Sequence, residues 1–235
     1  MKITRFLSLC VLLSIAVGLS ASSGANPSPT PALAGFAVGE VPATLRDGDI
    51  VFHDSGSEQS AVIKILTHSQ YSHVGIYLTD AKGGFVYEAH NKVEKTPIAE
   101  WSDRPRHAKY PNKKPWRALR LKDHPDGLSS TDAATLKAFF TPSIMGAEYD
   151  KKFQWSDDKY YCSELVWKAY NTLENREVGK KETFRAFDFS SKEATDLATA
   201  RYGGVDKIPL DEIVITPQSI YSSDSLQLIP PLTER

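Results

Sequence analysis

From Glu58 to His68 the apolar residues Ala61, Val62, Ile65 and Leu66 recur at helical spacing, and Ser55 followed by Glu58 resembles a capping box at the start of that helix. The pattern is clearest in "SDDKYYCSELVWKAYNTL", where Tyr161, Leu165, Val166, Ala169 and Leu173 share one helical face. "SSTDAATLKAFF" reads as a further helix capped by Thr131 or Ser130. Elsewhere the period is two. "LRDGDIVFHD" places a turn at Asp47-Gly48 before a strand from Asp49 to Phe52, and "YSHVGIYLTDAKGGFVYEAH" reads as a hairpin turning between Asp80 and Gly84. Residues 101–117, rich in Lys, Arg, Pro and Trp, read as loops with a strand near "WRALRL". "VDKIPLDEIVITPQSIY" suggests a late strand ending at Pro217 and a short closing helix. Strands grouped between helical segments predict an α+β fold.

The first residues, "MKITRFLSLCVLLSIAVGLSASSGA", break both patterns. Lys2 and Arg5 precede an apolar stretch from Phe6 to Val17, and small residues follow, which is the layout of a secretory signal peptide over residues 1–25 with cleavage between Ala21 and Ala25. The apolar part is shorter than the roughly 18–20 residues that span a bilayer. "NPSPTPALAG" opens a flexible leader over residues 26–40, and residues 41–235 form one domain. The expected location is therefore periplasmic or secreted. With 41% hydrophobic and 24% charged residues the chain is globular in composition. Losing Lys2 and Arg5 with the signal leaves a net charge near −3, so nothing favours nucleic acid as a partner.

Removing the signal also removes Cys10 and leaves Cys162 as the only cysteine. An unpaired thiol in an exported protein is either a packed small hydrophobe or a reactive group. Asp157 or Asp158 reads as the cap of its helix, which would place the sulfur in the first turn, where free N–H groups and the helix dipole favour a thiolate and a developing oxyanion. A cysteine nucleophile needs a base, and His73 opens the strand "HVGIYL". Glu88, in "FVYEA", shares the sheet face of His73 if residue 73 pairs with 88 or 90, and so could hold its tautomer; His90 is the alternative orienter. His68, His73 and Cys162 lack the paired-cysteine spacing of structural zinc, so neither metal nor cofactor is expected. Ser72 and Ser163 lie in no G-x-S-x-G motif, and Trp155 and Trp167 read as packing aromatics.

"GDIVF", "THSQYSHVGIYL", "VYEA", "YDKKFQWSDDKYYCSELVWKAY" and "ITP" occur in the order of the permuted papain-like cysteine hydrolases, and residues 43–225 resemble the YiiX/YebB-like branch of the NlpC-type superfamily. The resemblance implies a circularly permuted papain-like fold, an antiparallel sheet packed against helices that include the cysteine-bearing one. It implies Cys162 as nucleophile, His73 as general base, Glu88 as orienter and Tyr149, in "GAEYDKKF", as a contributor to the oxyanion site. The activity it implies is amide hydrolysis in the cell envelope, with peptidoglycan peptides as the leading substrate. The alternatives are a lipid-directed acyltransferase, phospholipase or thioesterase using the same cysteine, and a non-catalytic binding module. The basic stretch "RPRHAKYPNKKPWR" reads as a solvated loop or as a peripheral face for an anionic envelope polymer or head group. The enzyme reading requires residues 162 and 73 to meet over a hollow open to solvent.

Overall fold

The computed structural model describes residues 35–106 and 115–230. The expected signal peptide, Cys10 and most of the expected leader lie outside them. In chain order the elements are β1 (Asp49–His53), α1 (Glu58–Thr67), β2 (His73–Asp80), β3 (Gly83–Ala89), β4 (Val93–Pro97), α2 (Ile98–Asp103), β5 (Arg117–Leu121), α3 (Ser130–Phe139), α4 (Cys162–Asn171), β6 (Glu182–Thr183), α5 (Lys192–Tyr202), β7 (Ile213–Val214), α6 (Pro217–Tyr221) and β8 (Leu226–Leu228). Six strands form one antiparallel sheet in the order β4-β3-β2-β1-β5-β8, and β6 pairs with β7 apart from it. The α+β arrangement is the expected one. No helix among the described residues is long and apolar enough to cross a membrane.

Period two along β2 separates two cores. Val74, Ile76 and Leu78 pack with Leu165, Val166, Ala169 and Tyr170 of α4, while Val51 of β1 and Val86 of β3 join Trp101 and Trp116 in a second cluster. Each Val, Leu or Ile side chain among them, fully buried, contributes about 1.5–3 kcal/mol relative to its exposed state. The Tyr170 hydroxyl donates to the Gly48 carbonyl, fastening α4 to the entry of β1. Phe36, within the stretch read as leader, is buried against Trp116 with ring centroids 4.6 Å apart.

The caps differ from the sequence reading. Ser57, not Ser55, accepts from the Ser60 N–H at the start of α1, and Ser129 accepts from Asp132 N–H before α3. The N-cap of α4 is Tyr161, which makes Cys162 its first residue, while Asp157 is engaged instead by Lys168 at 2.8 Å. Short polar residues compete for a cap, and backbone φ/ψ decides which one is extended there. The late strand is only two residues and stops before Ile215. β4, β6, β8, α2 and α5 have no counterpart in the sequence reading. α5 carried a signal that could have found it: Ser191 caps its start, and Gly203, at φ 87°, closes its end.

In the β2–β3 hairpin Ile76 faces Tyr87, and Gly75, next along β2, lies close to Glu88 of β3. A Cβ at Gly75 would lie 2.4 Å from Val86 Cγ1 and 3.0 Å from the Tyr87 carbonyl oxygen. Gly75→Ala should therefore push β3 away from β2, destabilise the protein by about 1–3 kcal/mol and lower turnover through Glu88. Thermal unfolding and kcat of the variant check both, and an unchanged Tm would show that the strands yield without cost.

Candidate active site

The site forms where the start of β2, the middle of β3 and the first turn of α4 converge. The hairpin register, with Tyr77 against Val86, gives His73 and Glu88 the same alternation along β2 and β3, so they share a face, as expected. His73 Nε2 lies 2.5 Å from Glu88 Oε2. With that nitrogen occupied, Nδ1 is left for Cys162, which together with Glu88 favours the charged imidazole. The imidazole thus answers to both the carboxylate and the sulfur. His90 is not in that chain: its ring stands edge-on to His73, 5.9 Å away between centroids.

Glu88 is wholly buried and saturated by donors. Besides His73 it accepts from Trp101 Nε1 at 3.0 Å, Thr96 Oγ1 at 2.6 Å and Arg104 Nη1 at 2.8 Å. Burial alone would raise its pKa; the hydrogen bond and charge of His73, then the Arg104 guanidinium and Thr96, hold it well below the usual carboxylate range. Burial likewise works against a charged His73, but the hydrogen bonds to Cys162 and Glu88 prevail and push its pKa up to about 9. His53, stacked 5.0 Å from His73, is brought down to about 3 by burial and then by the His73 charge; burial and the same charge lower His90 to about 4. One imidazole of the three therefore carries the positive charge near neutral pH.

Cys162 is a free thiol at the first position of α4, where N–H groups have no intrahelical partner. The turn is pinned from outside. Ser163 Oγ donates to the Ile215 carbonyl at 2.8 Å, and the Ile215 N–H donates to Tyr161 Oη at 3.1 Å. Glu164, buried at the third position, accepts from Tyr161 N–H at 3.4 Å and pairs with Lys168 at 2.9 Å; burial nonetheless pushes it up to about 7. Tyr149 joins the site as well, lining the same slot as Cys162 and accepting from Gln59 Nε2 at 3.1 Å. All four residues singled out in the sequence, Cys162, His73, Glu88 and Tyr149, are brought together.

The hollow they share is divided by polarity. His73, His90, Asn91, Ser55, Gln59 and Lys151 line a polar cleft of about 420 Å³. Cys162, only 2% exposed, lines a narrow apolar slot of about 60 Å³ with Phe153, Tyr161, Phe184, Phe187 and Ile215. Tyr149 and Ile63 border both. At its far side the slot shares Leu66, Thr67, Phe187 and Thr216 with a basin of about 830 Å³ that also holds Lys180, Lys181, Glu177, Glu182, Asp188 and Asp224. The sulfur is thus approached more narrowly than the sequence reading required, because Phe153 packs edge-on against Tyr161 beside it.

Several participants were missed in the sequence. Thr96, Trp101 and Arg104 lie in or beside segments read as loop, and Arg104 turns inward to Glu88 rather than outward to solvent as expected for "RPRHAKYPNKKPWR"; residues 107–114 of that stretch lie outside the described residues. Gln59 and Arg201 come from α1 and from the unanticipated α5. Trp155 and Trp167 pack on one another at 5.2 Å, as aromatics of the fold.

Residues 44–230 match the model of a family described as permuted papain-like amidase enzymes, YaeF/YiiX, C92 family. The YiiX protein of Escherichia coli (strain K12), described as uncharacterized, is 34% identical over 184 residues, 78% of this chain and 85% of its own length. A crystal structure of YiiX from Escherichia coli O157:H7, described as a metalloprotein, has a TM-score of 0.69 at 34% identity and covers 80% of this chain and 98% of that one. Among the described residues of this chain, no group of three or more His, Cys, Asp and Glu side chains is placed to hold a metal ion.

Proposed function

The chain belongs to the permuted papain-like amidase family, C92, and on that footing we propose that it is an exported cysteine amidase with Cys162 as nucleophile, His73 as general base, Glu88 as its orienter and Tyr149 as a donor to the oxyanion. The observation that carries this reading is the His73 imidazole held by a buried carboxylate, with its charge favoured by the thiol at a helix N-terminus. His73 holds the proton drawn from Cys162, and the sulfur attacks the amide carbonyl. The carbonyl oxygen, now negative, is received by Tyr149 and the first-turn N–H groups of α4. His73 then gives its proton to the leaving amine, and water, deprotonated by the same imidazole, releases the acid from the thioester. Glu88 keeps the imidazolium oriented and neutralised throughout.

The two sides of the hollow support an assignment of the two sides of the substrate. The leaving amine must lie within reach of His73, which faces the polar cleft, while the acyl group stays on the sulfur, which faces the apolar slot. The substrate is then an amide with an apolar group next to its scissile carbonyl and a polar amine. Beyond the slot lies a basin bearing both signs of charge, which suits the continuation of a peptide better than the end of a hydrocarbon chain. We therefore favour envelope peptides, those of peptidoglycan first. The apolar slot itself favours the second reading, in which the sulfur takes an acyl chain from a lipid.

Incubating the purified protein with peptidoglycan stem peptides and, separately, with phospholipid vesicles, then weighing the products, separates these readings. The expected result is a new amine and a new carboxylic acid from peptides. Free fatty acid and lysolipid instead would establish the lipid reading. No change in either substrate would leave the binding module.

A further inference from the structure

Tyr149 has one proton and two lone pairs, so its usefulness to an oxyanion depends on where that proton points. Two neighbours settle this. Arg201 Nη2 donates to Gln59 Oε1 at 2.7 Å, and the guanidinium offers no acceptor, so the Gln59 amide has a single orientation, oxygen toward Arg201 and nitrogen toward Tyr149. That nitrogen donates to Tyr149 Oη at 3.1 Å. The phenol therefore accepts on its Gln59 side, and its own proton is left for the side facing Cys162. Arg201 is in turn held over the Phe153 ring at 4.8 Å, which fixes the distal end of the relay. Burial, above all, keeps the phenol protonated and able to donate.

We propose that Gln59 and Arg201 are positioning residues that polarise Tyr149, so that its hydroxyl donates into the oxyanion site rather than away from it. This rests on the cysteine reading above and goes beyond it, because it assigns a catalytic duty to a contact between α1 and α5.

The test uses two reagents that consume the same thiol. p-Nitrophenyl acetate acylates it: sulfur forms a bond to the carbonyl carbon, the carbonyl electron pair moves to oxygen, and collapse expels p-nitrophenolate and leaves a thioester. Iodoacetamide alkylates it: sulfur displaces iodide and no oxyanion forms. Tyr149→Phe should slow acylation about 10²-fold and leave alkylation nearly unchanged. Gln59→Glu keeps the shape and the pairing with Arg201 but presents an acceptor to Tyr149, so the phenol proton turns away; acylation should fall almost as far as in Tyr149→Phe. Gln59→Leu removes the contact without reversing it and should cost less than about tenfold. The double variant Gln59→Glu, Tyr149→Phe should be no slower than Tyr149→Phe alone. A purely structural role predicts the opposite ranking, with Leu worse than Glu. That ranking, multiplicative losses in the double variant, or alkylation falling in step with acylation would each overturn the proposal. Failure of the cysteine reading is seen separately, as nitrophenolate release that survives in Cys162→Ser.

Discussion

Cys162→Ser should abolish turnover, by at least about 10⁴-fold, while the protein unfolds within a few degrees of the parent. The hydroxyl fits the space of the thiol and finds the same two partners, His73 and Tyr149, so the packing around α4 has no reason to change. The chemistry does change, because a serine hydroxyl ionises far less readily than a thiol. Loss of a nucleophile alone removes nearly all of the catalysis a nucleophile–base pair supplies. kcat on the cleaved substrate and a thermal melt check the two halves of this expectation. Retained turnover would place the nucleophile elsewhere.

Glu88→Gln is expected to damage both activity and stability, for one reason. The carboxylate receives four donors, two on each oxygen: His73 and Trp101 on Oε2, Thr96 and Arg104 on Oε1. A glutamine must turn its NH₂ toward one of these pairs, and it carries no charge to balance Arg104 or the imidazolium. Removing one partner from such a buried ionic cluster costs about 3–5 kcal/mol, and the misdirected imidazole should lower kcat by roughly 10²–10⁴-fold. The pH dependence gives a sharper signature. His73 sits at about 9 in the folded protein against an ordinary 6.5, so its stabilising contribution is complete below about pH 6.5 and lost as pH rises through about 9. Glu88→Gln removes one of the causes of that elevation. The alkaline loss of stability should begin at lower pH, and the alkaline arm of kcat should move down with it. An unchanged rate and an unchanged alkaline arm would transfer the orienting duty to His90.

Much of the machinery was legible in linear sequence because each clue was local. The solitary thiol at the head of an amphipathic helix, the histidine opening a strand and the glutamate across a tight hairpin all follow from period and turn chemistry. The hairpin closes with two residues between Asp80 and Gly83, and this sets the register that puts His73 and Glu88 on one face. Caps were read less well, since the serines and aspartates near α1, α3 and α4 were chemically equivalent candidates and only the backbone distinguishes them. The support around the site was not legible at all. Arg104 looked like one of many cations in a solvated loop, and Gln59 and Arg201 are separated by 142 residues.

What the sequence by itself determined is the inventory and its local setting: an α+β pattern, one thiol placed at a helix start, and an imidazole and a carboxylate on adjoining strands. Tertiary structure alone decided the company those groups keep. It closed the slot over the sulfur, divided the hollow into polar and apolar sides, and surrounded Glu88 with donors from β4, α2 and Arg104. The physical reason is that period and propensity act over a few residues, whereas burial and charge compensation depend on which distant surfaces the folded chain presses together.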